Sequence, residues 1–228
     1  MKQNGTLLKL DRDGLDFVDL IGEDHISTSL ETPMRADAFD LSDEEKIIKI
    51  THHFAQIMET MGLDLTDDSL SGTPRRVAKM YVEEIFQGLN PENKPRMALF
   101  DNKYKYGEML VEKNITLQSF CEHHFVPIIG VAHVAYISNG KVIGLSKINR
   151  LVRYFAKRPQ VQERLTLQIA NELKKALHTE DVAVVIDAKH MCVSLRGVED
   201  QSSSTVTSSY HGKFKDVTTR QELFKYID

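Results

Sequence analysis

Hydrophobic positions along the chain change period twice, and the changes mark out its elements. In LSDEEKIIKITHHFAQIMETMG (41–62), Ile47, Ile50, Phe54, Ile57, Met58 and Met61 recur at helical spacing. Ser42 with Glu45 makes a capping box at one end, and Gly62 can end the helix at the other. His52 and His53 within it read as surface or satisfied core residues. TPRRVAKMYVEEIFQG (73–88) predicts a second helix, with Thr73 as N-cap, Pro74 at the first helical position and Gly88 as the closing residue. A long connection follows over 89–107. The period then falls to two: MLVEKNITLQSF (109–120) and FVPIIGVAHVAYIS (125–138) read as strands, and Asn139-Gly140 predicts a hairpin turn into KVIGLS. A helix beginning near Lys147 is interrupted at Pro159. The pattern resumes as a helix in VQERLTLQIANELKKAL, with Val161, Leu165, Ile169, Leu173 and Leu177 on one stripe. DVAVVIDA and HMCVSLRGV read as two further strands, followed by a Ser/Thr-rich stretch and a short amphipathic tail. This order predicts an α+β protein with mostly antiparallel strands.

Residues 1–41 are acidic, rich in Ser and Thr and without period. They read as an arm, partly disordered, ahead of a helical region over 42–104 and a mixed strand-and-helix domain over 105–228. The chain has 228 residues, 41% apolar and 27% charged, as expected of a soluble globular protein able to bury a core. A net charge of −4 argues against general nucleic-acid binding, which needs a basic face. No apolar run is long enough for a bilayer, and MKQNGTLLKLDRDGLDF lacks the apolar stretch of an export signal, so a cytoplasmic protein without membrane association is expected.

Only two cysteines are present, too few for a disulfide framework. Cys121 and His124, in CEHHF, have C-x-x-H spacing, a weak signal by itself. It gains force from HMCVSLRGV, where alternation along a strand puts His190, Cys192, Ser194 and Arg196 on one face and Met191, Val193 and Leu195 on a core face. Cys121, His124 and Cys192 together supply two thiolates and an imidazole, which suit Zn²⁺. Three protein ligands leave a fourth position for water, as in catalytic sites, and zinc would lower that water's pKa toward ~7. His123 would turn away from the metal and serve proton transfer, with His190 facing the same cavity.

TPRRVAKM, CEHHFVP, VIGLSKINRLV, RPQVQERLT, HMCVSLRG and TVTSS, spread over about 70–220, closely resemble the GTP cyclohydrolase I family. The resemblance implies the tunnelling fold: an antiparallel sheet with two helices packed on one face, preceded by an N-terminal helical region and joined by neighbouring subunits into a barrel. It implies a toroidal homodecamer of two pentamers, with active sites at subunit interfaces. The implied reaction is zinc-dependent hydrolysis of GTP to 7,8-dihydroneopterin triphosphate and formate, the first step of folate or pterin biosynthesis.

Residue by residue, Cys121, His124 and Cys192 match the family's zinc ligands, and His123 and His190 its acid–base histidines. Gln162 and Glu163 match positions that recognise guanine. Ser146, Lys147, Arg150 and Arg196 match contacts to ribose or triphosphate. Ser146 is also expected to assist ribose opening with His123, and Arg76 and Lys79 to reach phosphate from a neighbouring subunit. Without the motifs, Glu163, Lys147 and Arg150 would read as solvated helix charges. Two other functions fit parts of the pattern. A nitrile reductase of deazaguanine metabolism on the same fold would not need the CEHH and HMC pairing. A zinc-stabilised scaffold module would need a fourth protein ligand.

Overall fold

A computed structural model of the protein describes residues 29–228. Residues 1–28 of the expected arm lie outside the described residues. Helix α1 (Asp43–Thr60) begins with the expected box: the Ser42 amide donates to Glu45 Oε2 at 2.8 Å, and the Glu45 amide to Ser42 Oγ at 3.3 Å. Gly62 follows with a φ of +84°, a left-handed conformation that closes a helix end without Cβ strain. His52 and His53 are exposed. A short helix α2 (Asp68–Ser71) leads into α3 (Thr73–Lys79). Gly72 is the N-cap of α3, while the Thr73 hydroxyl accepts from Arg76 Nη2 at 3.2 Å. The chain then widens into a π-turn over Met80–Ile85. Gly88 is needed for a close approach rather than a cap: a Cβ there would lie 2.1 Å from the Tyr154 carbonyl oxygen.

The connection after Gly88 contains a strand that the sequence pattern does not reveal. β1 (Leu99–Asp101) precedes the long strands β2 (Met109–Cys121) and β3 (Pro127–Ile137), and β4 (Lys141–Ile143) follows them. The expected hairpin between β3 and β4 does not form. β3 is already paired on both edges, with Met109 opposite Ile137 on one side and Val182 opposite Tyr136 on the other. β4 therefore pairs with β1, Ile143 opposite Leu99. Helix α4 (Leu145–Ala156), the two-residue strand β5 (Pro159–Gln160), helix α5 (Gln162–Leu177) and strand β6 (Val182–His190) complete the centre of the molecule.

Beyond His190 the expected strand fails. The register opposes His190 to Ile128, so further residues would have to pair with the CEHHF turn. The chain closes instead into a helical turn, α6 (Met191–Ser194), in which the Ser194 hydroxyl donates to the His190 carbonyl at 3.1 Å. Alternation no longer applies there, and Leu195, expected in the core, is 69% exposed. The Ser/Thr-rich stretch supplies an edge strand, β7 (Thr205–Tyr210), and the tail forms α7 (Val217–Ile227).

The main sheet has the order β5-β2-β3-β6-β7, antiparallel except where β5 runs parallel to the end of β2. One face carries α4 and α5. Ile148, Leu151 and Val152 of α4 and Leu165, Ile169, Leu173 and Leu177 of α5 bury themselves with Leu117, Val134, Val184 and Ile186 of the sheet. The fold is thus α+β, with two helices over one sheet face. At the opposite face a smaller cluster of Met109, Ala135, Ala183, Phe214 and Leu223 sits under α7.

Candidate active site

Sheet register gathers the chemistry at one end. Cys121 ends β2, and its amide donates to the Val126 carbonyl while its own carbonyl accepts from the Phe125 amide, both at 2.9 Å. Phe125 adopts a φ of +54°, a left-handed conformation within the turn. Because Ile128 opposes His190, the α6 turn arrives beside this loop with Cys192. One donor atom each from Cys121, His124 and Cys192 therefore lie within 4.8 Å of one another. Cys121 is buried, Cys192 half-buried and His124 exposed.

The donor set fits a borderline-soft cation. Metal–sulfur bonds of ~2.3 Å and metal–nitrogen bonds of ~2.0 Å need only a small contraction of this triangle. Burial pushes the Cys192 thiol up, and the Cys121 sulfur beside it adds to the effect. A cation between the two would reverse this, since bound thiols ionise. Arg196 Nη1 lies 2.9 Å from His124 Nε2; a guanidinium can only donate, so that imidazole nitrogen carries a lone pair. Among the described residues the cluster has three members.

His190, last in β6, is held differently. Gln162 opens α5, and its side chain is only 1% exposed. Its amide nitrogen donates to the carbonyls of Ile186 (3.2 Å) and Thr205 (2.8 Å) and to Thr207 Oγ1 (3.1 Å). That fixes which end of the amide faces His190, so His190 Nε2 donates to Gln162 Oε1 at 2.8 Å and Nδ1 is left as the acceptor. Burial pushes the His190 pKa down, partly opposed by the charge of nearby, exposed Glu163. The Gln162 side chain is therefore turned inward beneath the site. His123 lies between Cys121 Sγ, 3.8 Å from its Nδ1, and Glu122 Oε1, 3.7 Å from its Nε2.

The remaining expected residues are not brought to this cluster within one chain. Ser146, Lys147 and Arg150 lie on the first turns of α4. The Asn149 side chain there donates to Glu112, near the other end of β2. Glu112 and Cys121 are nine residues apart on one strand, on the order of 30 Å by strand rise. Beside Glu112, Asn149 and Arg153 a cleft of about 510 Å³ opens along β2. Arg76 folds back onto Thr73 and the Ser69 carbonyl, and Lys79 stands 4.0 Å from Glu83.

Two residues at the site escaped the sequence reading. Arg164, buried, and Glu122, half-buried, form an ion pair at the turn, with Arg164 Nη1 2.5 Å from Glu122 Oε2. The signal was available, because Arg164 and Gln168 fall beside Leu165 and Ile169 on the inward stripe of α5, where polar residues need a reason.

Fold and site together define an α+β enzyme built around a cysteine–histidine cluster able to hold a metal. The family model for GTP cyclohydrolase I matches residues 50–228. A Flavobacterium johnsoniae protein named GTP cyclohydrolase 1 is 65% identical over 212 residues, 93% of this chain and 95% of that protein. Proteins of the same name from Yersinia enterocolitica and Aeromonas salmonicida are 52% identical over 210 residues and 58% over 186. They cover 92% and 82% of this chain and 94% and 84% of their own lengths. The chain belongs to the GTP cyclohydrolase I family. No helix among the described residues is long and apolar enough to cross a membrane.

Proposed function

We propose that the protein is a zinc-dependent GTP cyclohydrolase I that hydrolyses GTP to 7,8-dihydroneopterin triphosphate and formate, opening a folate or pterin pathway. The observation that carries this reading is the convergence of Cys121, His124 and Cys192, from two distant segments, to within 4.8 Å. Zinc held there supplies Lewis acidity, which makes water a nucleophile near neutral pH. C8 of guanine becomes electrophilic when N7 receives a proton. His190, its Nε2 proton fixed by Gln162, presents Nδ1 as the atom that first takes up a proton and then passes it on, and His123 can serve the same or a later transfer. Glu163 suits the adjacent N1–H and amine donors of guanine, since a carboxylate accepts from both. Gln162 then acts beneath the base by orienting His190. Arg196, beside His124, is a cation placed to meet substrate oxygens, and Ser146 assists ribose opening with His123.

The distance between the cluster and Ser146, Lys147 and Arg150 favours a site shared between subunits, with those three, Arg76 and Lys79 reaching the triphosphate from neighbouring copies. β2 has a second edge that, over residues 109–119, meets no strand among the described residues, and β7 lies at the other margin of the sheet. Both edges suit the continuous barrel of a tunnelling fold, assembled as a homodecamer. In this reading residues 1–41 are an arm, 42–104 a helical region and 105–228 the catalytic domain. The test is incubation of the zinc-loaded protein with GTP, following pterin absorbance and formate. Release of both in equal amounts is expected, and their absence would refute the assignment.

A further inference from the structure

We propose that Glu122 and Arg164 are positioning residues that hold the His123 ring in register with the metal-binding turn. The inference rests on the reading of His123 as an acid–base group. Arg164 lies on the first turn of α5 and is 4% exposed. All three nitrogens of its guanidinium are engaged. Nε donates to the Ser29 carbonyl at 2.8 Å, Nη1 to Glu122 Oε2 at 2.5 Å and Nη2 to Glu122 Oε1 at 3.2 Å. This is the bidentate fork that fixes a carboxylate in plane as well as in place.

Glu122 is held by its backbone too, the amide donating to the Gln160 carbonyl at 3.1 Å. It is therefore tied to β5 and α5 at once, while belonging to the turn between Cys121 and His123. Its Oε1, the oxygen that accepts from Nη2, is the atom 3.7 Å from His123 Nε2. The imidazole is thereby flanked by a fixed carboxylate on one side and the Cys121 sulfur on the other. Its side chain is 41% exposed.

An ion pair with one buried partner is weak evidence for stability, because the attraction largely offsets the cost of removing charge from water, and apolar residues of similar volume often replace such pairs without loss. Arg164 also flanks the apolar stripe of α5, where a hydrophobic side chain would pack. What an apolar pair would not supply is a fixed negative charge beside His123.

The deciding variant is the double substitution Arg164→Met/Glu122→Met, which removes both charges together and avoids stranding either. On the zinc-loaded protein, metal content per chain, the thermal midpoint, and kcat and KM for GTP are measured. We expect one metal per chain, KM within threefold of the parent and kcat lowered at least tenfold. Arg164→Lys, which keeps the charge but loses the fork and the Ser29 contact, should lower kcat by a smaller factor at the same KM. A double variant with kcat within twofold of the parent would overturn the proposal, and so would kcat falling only in proportion to lost metal. Should the double variant fail to fold, Arg164→Lys decides: unchanged kcat overturns the proposal, and a selective fall in kcat supports it. His123→Ala, measured alongside, separates the two ideas. If it turns over normally, the acid–base role itself is wrong; if it is inactive while the double variant is unimpaired, only the positioning role is lost.

Discussion

Gln162→Leu is the perturbation whose consequences follow most fully from the structure. The substitution keeps the approximate volume of a side chain that is 1% exposed and removes all its polar atoms. Two amide N–H groups, shared among the carbonyls of Ile186 and Thr205 and Thr207 Oγ1, disappear, together with the bond accepted from His190. Thr207 keeps Thr166 as a partner at 2.7 Å, so it is not stranded. Counting the rest at ordinary net values, with a penalty for buried groups left unpaired, gives a loss of about 2–4 kcal/mol. For a chain of this size that lowers the thermal midpoint by roughly 4–16 °C. His190 also loses the acceptor that fixes its Nε2 proton, which in its proposed acid–base role costs ~10²-fold or more in rate. Calorimetry at fixed protein concentration and steady-state turnover of GTP measure the two effects. Gln162→Glu divides them: its carboxylate still accepts from His190 but donates to nothing, so it should be destabilised while keeping more activity than the leucine variant. A Gln162→Leu protein with both midpoint and kcat equal to the parent would refute the proposed role of this amide.

Cys192→Ser should lose metal and turnover together, as judged by metal analysis beside the GTP assay; stoichiometric retained metal would count against the trio. Stability should decline as pH falls below the ordinary imidazole value of 6.5. His133, His190 and His211 all have pKa values depressed chiefly by burial, so the unfolded chain binds protons that the fold resists. Urea midpoints from pH 7.5 to 5 check this, and a midpoint that rises on acidification would contradict it. Gly88→Ala forces a Cβ to within 2.1 Å of the Tyr154 carbonyl and 2.7 Å of that of Lys157, both backbone atoms. It should therefore cost about 1–3 kcal/mol or more, visible in the same denaturation assay. Light scattering should find an oligomer, and substitutions that hold the chain as a monomer should abolish turnover; a fully active monomer would overturn the shared-site reading.

Local signals carried much of the architecture. Ser42 and Glu45 announce the start of α1 because a capping box is a contact between near neighbours, and the α5 stripe announces its buried face because both depend only on spacing. The convergence of Cys121, His124 and Cys192 into a group able to hold a metal was legible because these residue types are scarce and have few other uses together. What escaped depended on distant partners. β4 pairs with β1 because β3 has no open edge, a fact about the whole sheet. β7 is a strand because β6 offers it a ladder, which Ser and Thr composition does not advertise. The turn at Met191–Ser194 replaces a strand because pairing ends at His190. Cys192 reached the expected cluster although the alternation that suggested it does not exist. Gln162 and Arg164 show the same division within the site: their motif was evident, while the inward direction of both side chains depends on Thr205, Thr207, Glu122 and Ser29, remote in sequence.

X-ray absorption at the zinc edge of the purified, loaded protein tests the central claim most directly. The account predicts one zinc per chain with two sulfur neighbours at ~2.3 Å and two lighter neighbours at ~2.0–2.1 Å, one a histidine nitrogen and the other an exchangeable solvent oxygen. A shell without sulfur, or one closed by a fourth protein ligand, would contradict it.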